Sequence, residues 1–238
     1  MSSILACLSA QSTRPALEVR LATSEVDLAA VYRLRYQIYV SEMGLLSPDH
    51  AFVHGDQLRD GYDARSVQLL LLADGVPAGT ARLTRADAGP LELSQYTDLR
   101  ALLARDPGAV EVTRLMLRRD LRRTSAGPLL FVAMFRAMRA MGAHTVLCAG
   151  KVGNLGRYYK NIGLHRVDDR RFTYGLVGSA LYQLLALDLG AKGTLRSFGW
   201  NLLVPILAAL AMATGSLGPR YFRRGFDRTA RGAYARAA

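Results

Sequence analysis

The stretch VEVTRLMLRRD, residues 110–120, combines a strand-like run of β-branched and apolar residues with two opposite charges, Glu111 and Arg114. Valine, threonine and leucine at this density favour a strand over a helix. Side chains on a strand alternate between its faces, so residues three apart point in opposite directions. The two charges can meet only across a β-bulge, which adds a residue and is over-represented beside active sites. The stretch therefore predicts either a functional pair or a structural ion pair at a strand end.

Composition and charge narrow the choice of partner. Half of the 238 residues are hydrophobic, and 31 Lys and Arg against 19 Asp and Glu give a formal net charge of +12, which predicts an acidic partner. Nucleic acid is disfavoured because the aromatic residues are not interleaved with basic ones as stacking platforms require. Cys7 and Cys148 lie far apart and near no histidine cluster. We therefore expect reduced thiols, a cytoplasmic protein and no metal site.

The segments around the opening stretch predict alternating strands and helices. Expected strands lie at 17–22, on both sides of an Asp74-Gly75 hairpin turn within 66–84, at 145–150 and at 180–189. Expected helices lie at 24–44, 92–104, 127–144 and 154–164, and residues 45–65 are predicted as a long loop, which in compact domains is often functional. The predicted fold class is α/β, with a mixed, mostly antiparallel sheet flanked by helices.

Four charged motifs follow one another along these elements. They are RLRYQIYVSEMG with Arg35 and Tyr39, DGYD with Asp60 and Asp63, GTARLT with Arg82, and EVTR with Glu111 and Arg114. Each motif alone is explained as well by ion-paired arginines or a self-capped aspartate turn. Together, in this order, they resemble the GNAT superfamily, and within it the acyl-homoserine-lactone (autoinducer) synthases and the long-chain N-acyl amino acid synthases. The resemblance spans about residues 17–188, so we expect a GNAT-like acyltransferase domain at 17–190.

The resemblance implies roles for these residues. Glu111 would be the general base, held by Arg114, and the bulge would free main-chain N–H groups to polarise a thioester carbonyl. Arg35 or Arg82 would bind an acceptor carboxylate, while Tyr39 and the two aspartates would line the substrate site. RYYKNIGLHRV resembles the segment whose tyrosine protonates the leaving thiolate, which points to Tyr159; a tyrosine packed on the sheet is the alternative. Cys148 has no histidine partner by spacing, so no covalent intermediate is expected.

Two departures from the family pattern bear on the substrates. The turn LRRDLRRTSAGPLL keeps only Gly127 of the glycine-rich loop that cradles the CoA pyrophosphate. This favours acyl carrier protein (ACP) over acyl-CoA as the donor. An acidic carrier would dock on the arginines that flank the turn, which are Arg118, Arg119, Arg122 and Arg123. A solvated basic face is the alternative explanation of these arginines. Leu45 stands where autoinducer synthases carry a tryptophan near S-adenosylmethionine. An amino acid or other small amine is therefore the expected acceptor, with an autoinducer synthase and a CoA-dependent acetyltransferase as alternatives.

The two ends of the chain carry different expectations. Residues 1–16 are expected to be a disordered tail, and 191–238 an apolar helix with a basic tail. Residues 198–218 contain no charge and reach the length of a membrane span, and several arginines follow. A span or hairpin, a peripheral helix at the inner face of the membrane and a helix docked on the catalytic domain remain alternatives. An inactive adaptor of the same family is also compatible with the sequence.

Overall fold

The computed structural model describes residues 15–153, 163–174, 179–189, 231–232 and 234–235. The strands are β1 (Leu17–Leu21), β2 (Val53–His54), β3 (Gln57–Leu58), β4 (Ser66–Ala73), β5 (Val76–Arg85), β6 (Val110–Leu117), β7 (Thr145–Lys151), β8 (His165–Arg166), β9 (Phe172–Thr173) and β10 (Leu181–Asp188). The α-helices are α1 (Glu25–Tyr36), α2 (Arg100–Arg105) and α3 (Ala126–Ala140), and a π-helix at Gln37–Glu42 directly follows α1. Short 3-10 turns lie at Asp63–Arg65, Ala86–Ala88, Glu92–Gln95 and Arg119–Leu121.

One twisted sheet organises the domain. Its strand order is β1-β4-β5-β6-β7-β10-β8, and β9 pairs with β10. The paired strands are antiparallel except β6 and β7, which run parallel and pair only where Val110 and Glu111 face Val146 and Leu147. Beyond that point the two strands no longer pair, which opens a gap between their C-terminal halves. The predicted α/β class with a mostly antiparallel sheet flanked by helices is confirmed.

The bulge predicted in β6 is present at Arg114. The pairing of β5 with β6 shifts by one residue between Thr80 and Arg82, so two residues of β6 lie opposite Ala81. Arg114 has a φ of 51°, in the left-handed region that non-glycine residues rarely adopt. Such a residue turns the strand and redirects its side chain. The side chain of Arg114 can thus reach the same side of the sheet as that of Arg82, and both arginines bind Asp60 and Glu92.

Helices cover the two faces of the sheet. The apolar side of α3, including Leu130, Ala133 and Ala137, is buried in the main core together with Leu69 of β4 and Leu83 of β5. The opposite face of β4 packs through Leu70 and Leu72 against Val31 of α1. Complete burial of such side chains contributes roughly 1.5–3 kcal/mol each. The two cores hold α1, β5 and β6, which carry Arg35, Arg82, Glu111 and Arg114 of the predicted site, in fixed positions.

Local signals predicted several boundaries correctly. Ser24 caps α1 by accepting the N–H of Asp27, as the sequence indicated. Asp74 and Gly75 both have positive φ, which is the geometry of a two-residue type I′ hairpin. Gly142, just past the end of α3, also has a positive φ and ends that helix.

The segment predicted as one helix at 92–104 is instead two short pieces, Glu92–Gln95 and α2. The first amides of the earlier piece, those of Glu92 and Leu93, donate to the carboxylate of Glu111. Asp98 accepts the N–H of Arg100 and starts α2 separately. The predicted loop at 45–65 also contains the small β2–β3 hairpin, and strands β8 and β9 were not predicted.

Some expectations concern residues that the structure does not describe. The predicted helix at 154–164 with Tyr159 falls mostly in this category, as do nearly all of the N-terminal tail and the apolar segment 198–218. Within the described residues, no helix has the length and apolar character needed to cross a bilayer. The guanidinium of Arg85 lies over the ring of Tyr234, with its central carbon 4.5 Å from the ring centroid. Tyr234 also packs against the main core.

Candidate active site

Three buried arginines on three different elements form the centre of the predicted site. They are Arg35 on α1, Arg82 on β5 and Arg114 on β6, each at most 5% exposed. Three carboxylates neutralise them, and these belong to Asp60, Asp63 and Glu92. Buried charges are tolerated only when they are paired in this way. The motifs that the sequence singled out therefore meet in one ionic network.

Arg35 is bound within the protein. Its Nη1 donates to Asp63 Oδ1 at 2.7 Å and its Nη2 to Gln68 Oε1 at 2.5 Å. Burial alone raises the pKa of Asp63, but the charges of Arg35 and Arg82 outweigh that effect and lower this pKa to about 2. Asp63 is therefore a permanent anion that holds Arg35 in place.

All three nitrogens of the Arg82 guanidinium donate to groups of the protein. Its Nε donates to Thr113 Oγ1 at 2.8 Å, its Nη1 to Asp60 Oδ1 at 2.5 Å, and its Nη2 to Glu92. The guanidinium groups of Arg35 and Arg82 thus bind the aspartates, Gln68 and Glu92 of the protein itself. Their role in binding an acceptor carboxylate stays a prediction.

Glu111 is fully buried, but Arg114 does not hold it, contrary to the prediction. Its Oε2 and Oε1 accept the main-chain N–H groups of Glu92 and Leu93, each at 2.8 Å. Burial, followed by the charge of Glu92, raises the pKa of Glu111 to about 7, although both N–H groups act in the opposite direction. A carboxyl with a pKa near neutrality is suited to accept and release a proton.

Arg114 turns away from Glu111 at the bulge. Its Nη2 donates to Asp60 Oδ2 at 2.7 Å and to Glu92 Oε1 at 3.0 Å. Arg114 also lines a cleft of about 270 Å³ that lies where β6 and β7 separate. The ionic network thus forms part of the wall of this cleft.

The cleft runs between β6, β7 and α3 and is mainly apolar. Residues that line it include Leu115, Phe131, Met134, Phe135, Met138, Val146, Leu164 and Leu187. Because α3 runs antiparallel to β6 and β7, Phe131 and Leu115 lie toward the open end and Met138 and Val146 toward the closed end. Tyr39, from the π-helix, lines the cleft as well. This shape suits an extended hydrocarbon chain.

Cys148 also lines the cleft, in surroundings that disfavour its thiolate form. Burial, and then the charge of Glu111, raises the pKa of this thiol to about 12. The reactive form of cysteine is the thiolate, which such a pKa suppresses. Glu111 pairs with Leu147 and is followed by Val112, which lines the cleft, so strand alternation turns the Glu111 side chain to the other side of the cleft wall.

The arginine-rich turn lies beside a second cavity of about 430 Å³, whose lining includes Arg122, Gly127, Leu115 and Phe131. The last two also line the first cleft, so the two spaces adjoin. Arg118 pairs with Asp120, and Arg122 pairs with Glu42 of the π-helix at 3.1 Å. Within the described part of the chain, the two exposed arginines of this turn that form no ion pair are Arg119 and Arg123.

The first turn of α3 has little capacity to bind an anion. Ala126 donates its N–H to Thr124 Oγ1, and Pro128 has no N–H to donate. Leu129 already donates to Ser125 O. In this turn, as far as the structure describes it, the amides left for a phosphate are those of Ser125 and Gly127.

Sequence reasoning missed two residues of the network, Glu92 and Tyr174. Glu92 bridges Arg82 and Arg114, and Tyr174 lines the cleft and hydrogen-bonds to Glu92. Burial and the charge of Glu92 raise the pKa of Tyr174 far above its ordinary value. The one available signal was Glu92 itself, a carboxylate in the apolar run PLEL that does not fit a solvated helix start.

Comparison with known proteins identifies the family. The family model for the N-acyl amino acid synthase FeeM matches residues 30–188, which contain all of the charged motifs. The chain belongs to the FeeM family of N-acyl amino acid synthases. This FeeM-family chain is thus an acyltransferase, as the motifs predicted. No curated protein sequence matches it significantly.

Solved structures agree on the fold of this FeeM-family chain. FeeM from uncultured soil microbes is 16% identical with a TM-score of 0.59, over 81% of this chain and 97% of that one. The acyl-homoserine-lactone synthase LasI is 20% identical with a TM-score of 0.57, over 78% and 96% of the two chains. The CoA-dependent acyl-homoserine lactone synthase BjaI, solved with MTA, is 21% identical with a TM-score of 0.55, over 78% and 89%. The GNAT-like architecture is therefore shared with synthases that use different substrates.

Proposed function

We propose that this chain transfers a long-chain acyl group from the phosphopantetheine thioester of ACP to the amine of an amino acid or a similar small amine. The observation that carries the proposal is the apolar cleft between β6 and β7, which adjoins the arginine-rich turn at one end and the Glu111 network along its side. No cofactor is required, because the thioester is itself the activated substrate.

The geometry of the α3 turn favours ACP over CoA as the donor. A pyrophosphate is usually bound by several main-chain N–H groups at a helix N-terminus. In the described turn, only the amides of Ser125 and Gly127 remain for this purpose. Phosphopantetheine on a carrier brings a single phosphate, which these amides and neighbouring arginines can bind.

The exposed charges of the same turn fit an acidic carrier. Arg119 and Arg123 are exposed on the turn that carries Arg122, a residue of the cavity lining, while Arg118 and Arg122 are partly neutralised by Asp120 and Glu42. Positive charge at the rim of an interface accelerates encounter with an acidic partner. The net charge of +12 supports the same choice.

The acceptor is proposed to be a plain amino acid or small amine rather than S-adenosylmethionine. Leu45 occupies the position of the autoinducer-synthase tryptophan, and its N–H donates to Tyr39 O at 2.8 Å. A leucine there provides no aromatic face for a sulfonium group. The match to the N-acyl amino acid synthase model supports this acceptor class.

The proposed chemistry is a direct acyl transfer. Glu111, close behind the cleft wall, accepts the proton of the attacking amine through a water molecule. Beyond Glu111 the edge of β6 that faces β7 has no partner strand, so N–H groups there polarise the thioester carbonyl. The amine then displaces the thiol of the carrier, and the proton that the thiolate takes is assigned to Tyr159, which lies outside the described residues.

A lipid product also bears on location. An N-acyl amino acid partitions into membranes, and the uncharged segment 198–218 is followed by arginines. Basic residues beside an apolar segment favour the anionic inner leaflet. The proposed location is therefore the cytoplasm, at the inner face of the membrane.

The test is a product analysis by mass spectrometry. Purified protein receives long-chain acyl-ACP or acyl-CoA together with pooled amino acids and S-adenosylmethionine, with Glu111→Gln in parallel. An N-acyl amino acid formed from acyl-ACP, and lost in the variant, is the expected result. An acyl lactone would assign the chain to the autoinducer synthases, and equal activity with acyl-CoA would overturn the choice of donor.

A further inference from the structure

Glu111 lies among arginines, yet its described hydrogen bonds come from none of them. Both carboxylate oxygens are taken by the N–H groups of Glu92 and Leu93. Arg82, whose charge acts on Glu111, and Arg114, three residues along the same strand, both donate to the carboxylate of Glu92 instead. The arginines are thus diverted from Glu111.

Glu92 is the residue of this network that binds Glu111 through its backbone and the arginines through its side chain. Its amide binds Glu111, whereas its buried carboxylate bridges Arg82 and Arg114. Tyr174 also hydrogen-bonds to that carboxylate, and both Tyr174 and Arg114 line the acyl cleft. Glu92 therefore connects the groups of the cleft wall with the base behind it.

We propose that Glu92 is the positioning residue of Glu111. Its main-chain N–H fixes the Glu111 carboxylate, and its own carboxylate occupies the arginine N–H groups that would otherwise pair with and neutralise that base. Glu92 touches no reacting atom in this role. The inference rests on the proposed function of Glu111 as the general base.

The electrostatics act in the same direction as the geometry. After burial, the negative charge of Glu92 is the main cause that raises the pKa of Glu111 to about 7. An uncharged residue at position 92 removes this like charge and also frees Arg82 Nη2 and Arg114 Nη2. Both changes lower the pKa of Glu111.

The experiment compares pH profiles of kcat/KM for N-acylation in wild type, Glu92→Gln and Glu92→Asp. In wild type, kcat/KM should fall on the acidic side with a midpoint near pH 7, as Glu111 becomes protonated. In Glu92→Gln the midpoint of this acidic limb should move down by at least one pH unit. Glu92→Asp keeps the charge and should restore the limb to within a few tenths of a unit, even at a reduced rate. Asp98→Asn, on the exposed pair with Arg100, is the matched control and should leave the limb in place.

A purely structural role would lower the rate of Glu92→Gln without moving the limb, and that result overturns the proposal. If the single variant does not fold, the charge-neutral pair Glu92→Gln with Arg82→Gln replaces it. Because Glu92 acts on Glu111 more strongly than Arg82 does, the limb should still move to lower pH. An unmoved or raised limb would again refute the role of Glu92.

Glu111→Gln separates this inference from the proposed function. If that variant keeps wild-type activity and an unchanged limb, the general-base assignment fails, and the role of Glu92 fails with it. If Glu111→Gln is inactive while the limb of Glu92→Gln stays in place, only the inference about Glu92 fails.

Discussion

Arg35 and Asp63 form an ion pair of 2.7 Å in which both side chains are at least 96% buried. Asp63→Asn would keep the shape but leave Arg35 with an uncompensated charge. Removing one partner of a buried pair typically destabilises a protein by about 3–5 kcal/mol. We expect a loss of this order in the free energy of urea unfolding. Asp98→Asn, which breaks the exposed pair with Arg100, should cost less than about 1 kcal/mol; similar losses in the two variants would contradict a structural role for the buried pair.

Glu111 should make stability fall as the pH rises. Its pKa in the folded protein, about 7, lies above its ordinary value of 4.5, so the folded state binds the proton more tightly. The stabilisation is complete below pH 4.5 and is lost as the pH rises through 7. Glu111→Gln mimics the protonated carboxyl and should remove this dependence in urea titrations between pH 5 and 8. Asp56→Asn, at an exposed loop carboxylate, should retain it.

Asp63 should make stability rise with pH, which is the opposite of the effect of Glu111. The charges of its arginine partners overcome burial and lower its folded pKa to about 2, below the ordinary 3.8. Its contribution is therefore present above pH 3.8 and is lost as the pH falls toward 2. Acid unfolding followed by circular dichroism should show a transition in wild type that is diminished in folded Asp63→Asn. An identical acid transition in both proteins would exclude Asp63 as its source.

Docking of the carrier should depend on Arg119 and Arg123. The double reversal Arg119→Glu with Arg123→Glu should lower kcat/KM for acyl-ACP about tenfold or more at low salt, because rim charges govern encounter with an acidic partner. A small acyl-pantetheine thioester should react as before. Arg105→Glu with Arg139→Glu, the same total charge change on exposed residues of α2 and of the far end of α3, is the control. An equal loss with both donors would place the effect in the acyl cleft instead of the docking surface.

The closed end of the cleft should set the acyl chain length. Val146 lies where β6 and β7 still pair, so Val146→Phe should fill the end of the cleft and shift the preferred substrate to shorter chains. Each methylene excluded from the cleft forfeits about 0.8 kcal/mol, or roughly fourfold in kcat/KM. Competition among acyl-ACPs of different length measures this shift. Val132→Phe, on α3 but outside the cleft lining, should leave the preference unchanged.

Local sequence patterns predicted the longer strands, the hairpin at Asp74-Gly75 and the bulge because each rests on residues close together in the chain. The alternation around Glu111 and Arg114 required a bulge for the two charges to share a face, and Arg114 does adopt the left-handed conformation. The set of motifs likewise identified most members of the ionic network. These features need no knowledge of distant partners.

The pairing within the network could not be predicted, because it depends on contacts across the fold. Arg114 binds Asp60, which is 54 residues away, in preference to Glu111 on its own strand. Glu92 was missed because its contacts lie on other elements: its carboxylate binds Arg82 and Arg114, and its amide donates to Glu111. The division of roles among like-charged residues is thus decided by three-dimensional packing.

The π-helix at Gln37–Glu42 sets the relative orientation of two ion-paired residues, Arg35 and Glu42. Arg35, just before the wide turn, joins the ionic network, and Glu42, at its end, binds Arg122 of the donor turn. Such a turn accommodates one residue more than an α-helical turn, and each residue of an α-helix rotates the chain by about 100°. Deleting a single residue here would therefore swing Glu42 away from Arg122 while Arg35 stayed in place. The length of this helix therefore determines whether Glu42 can pair with Arg122 while Arg35 keeps its place in the ionic network.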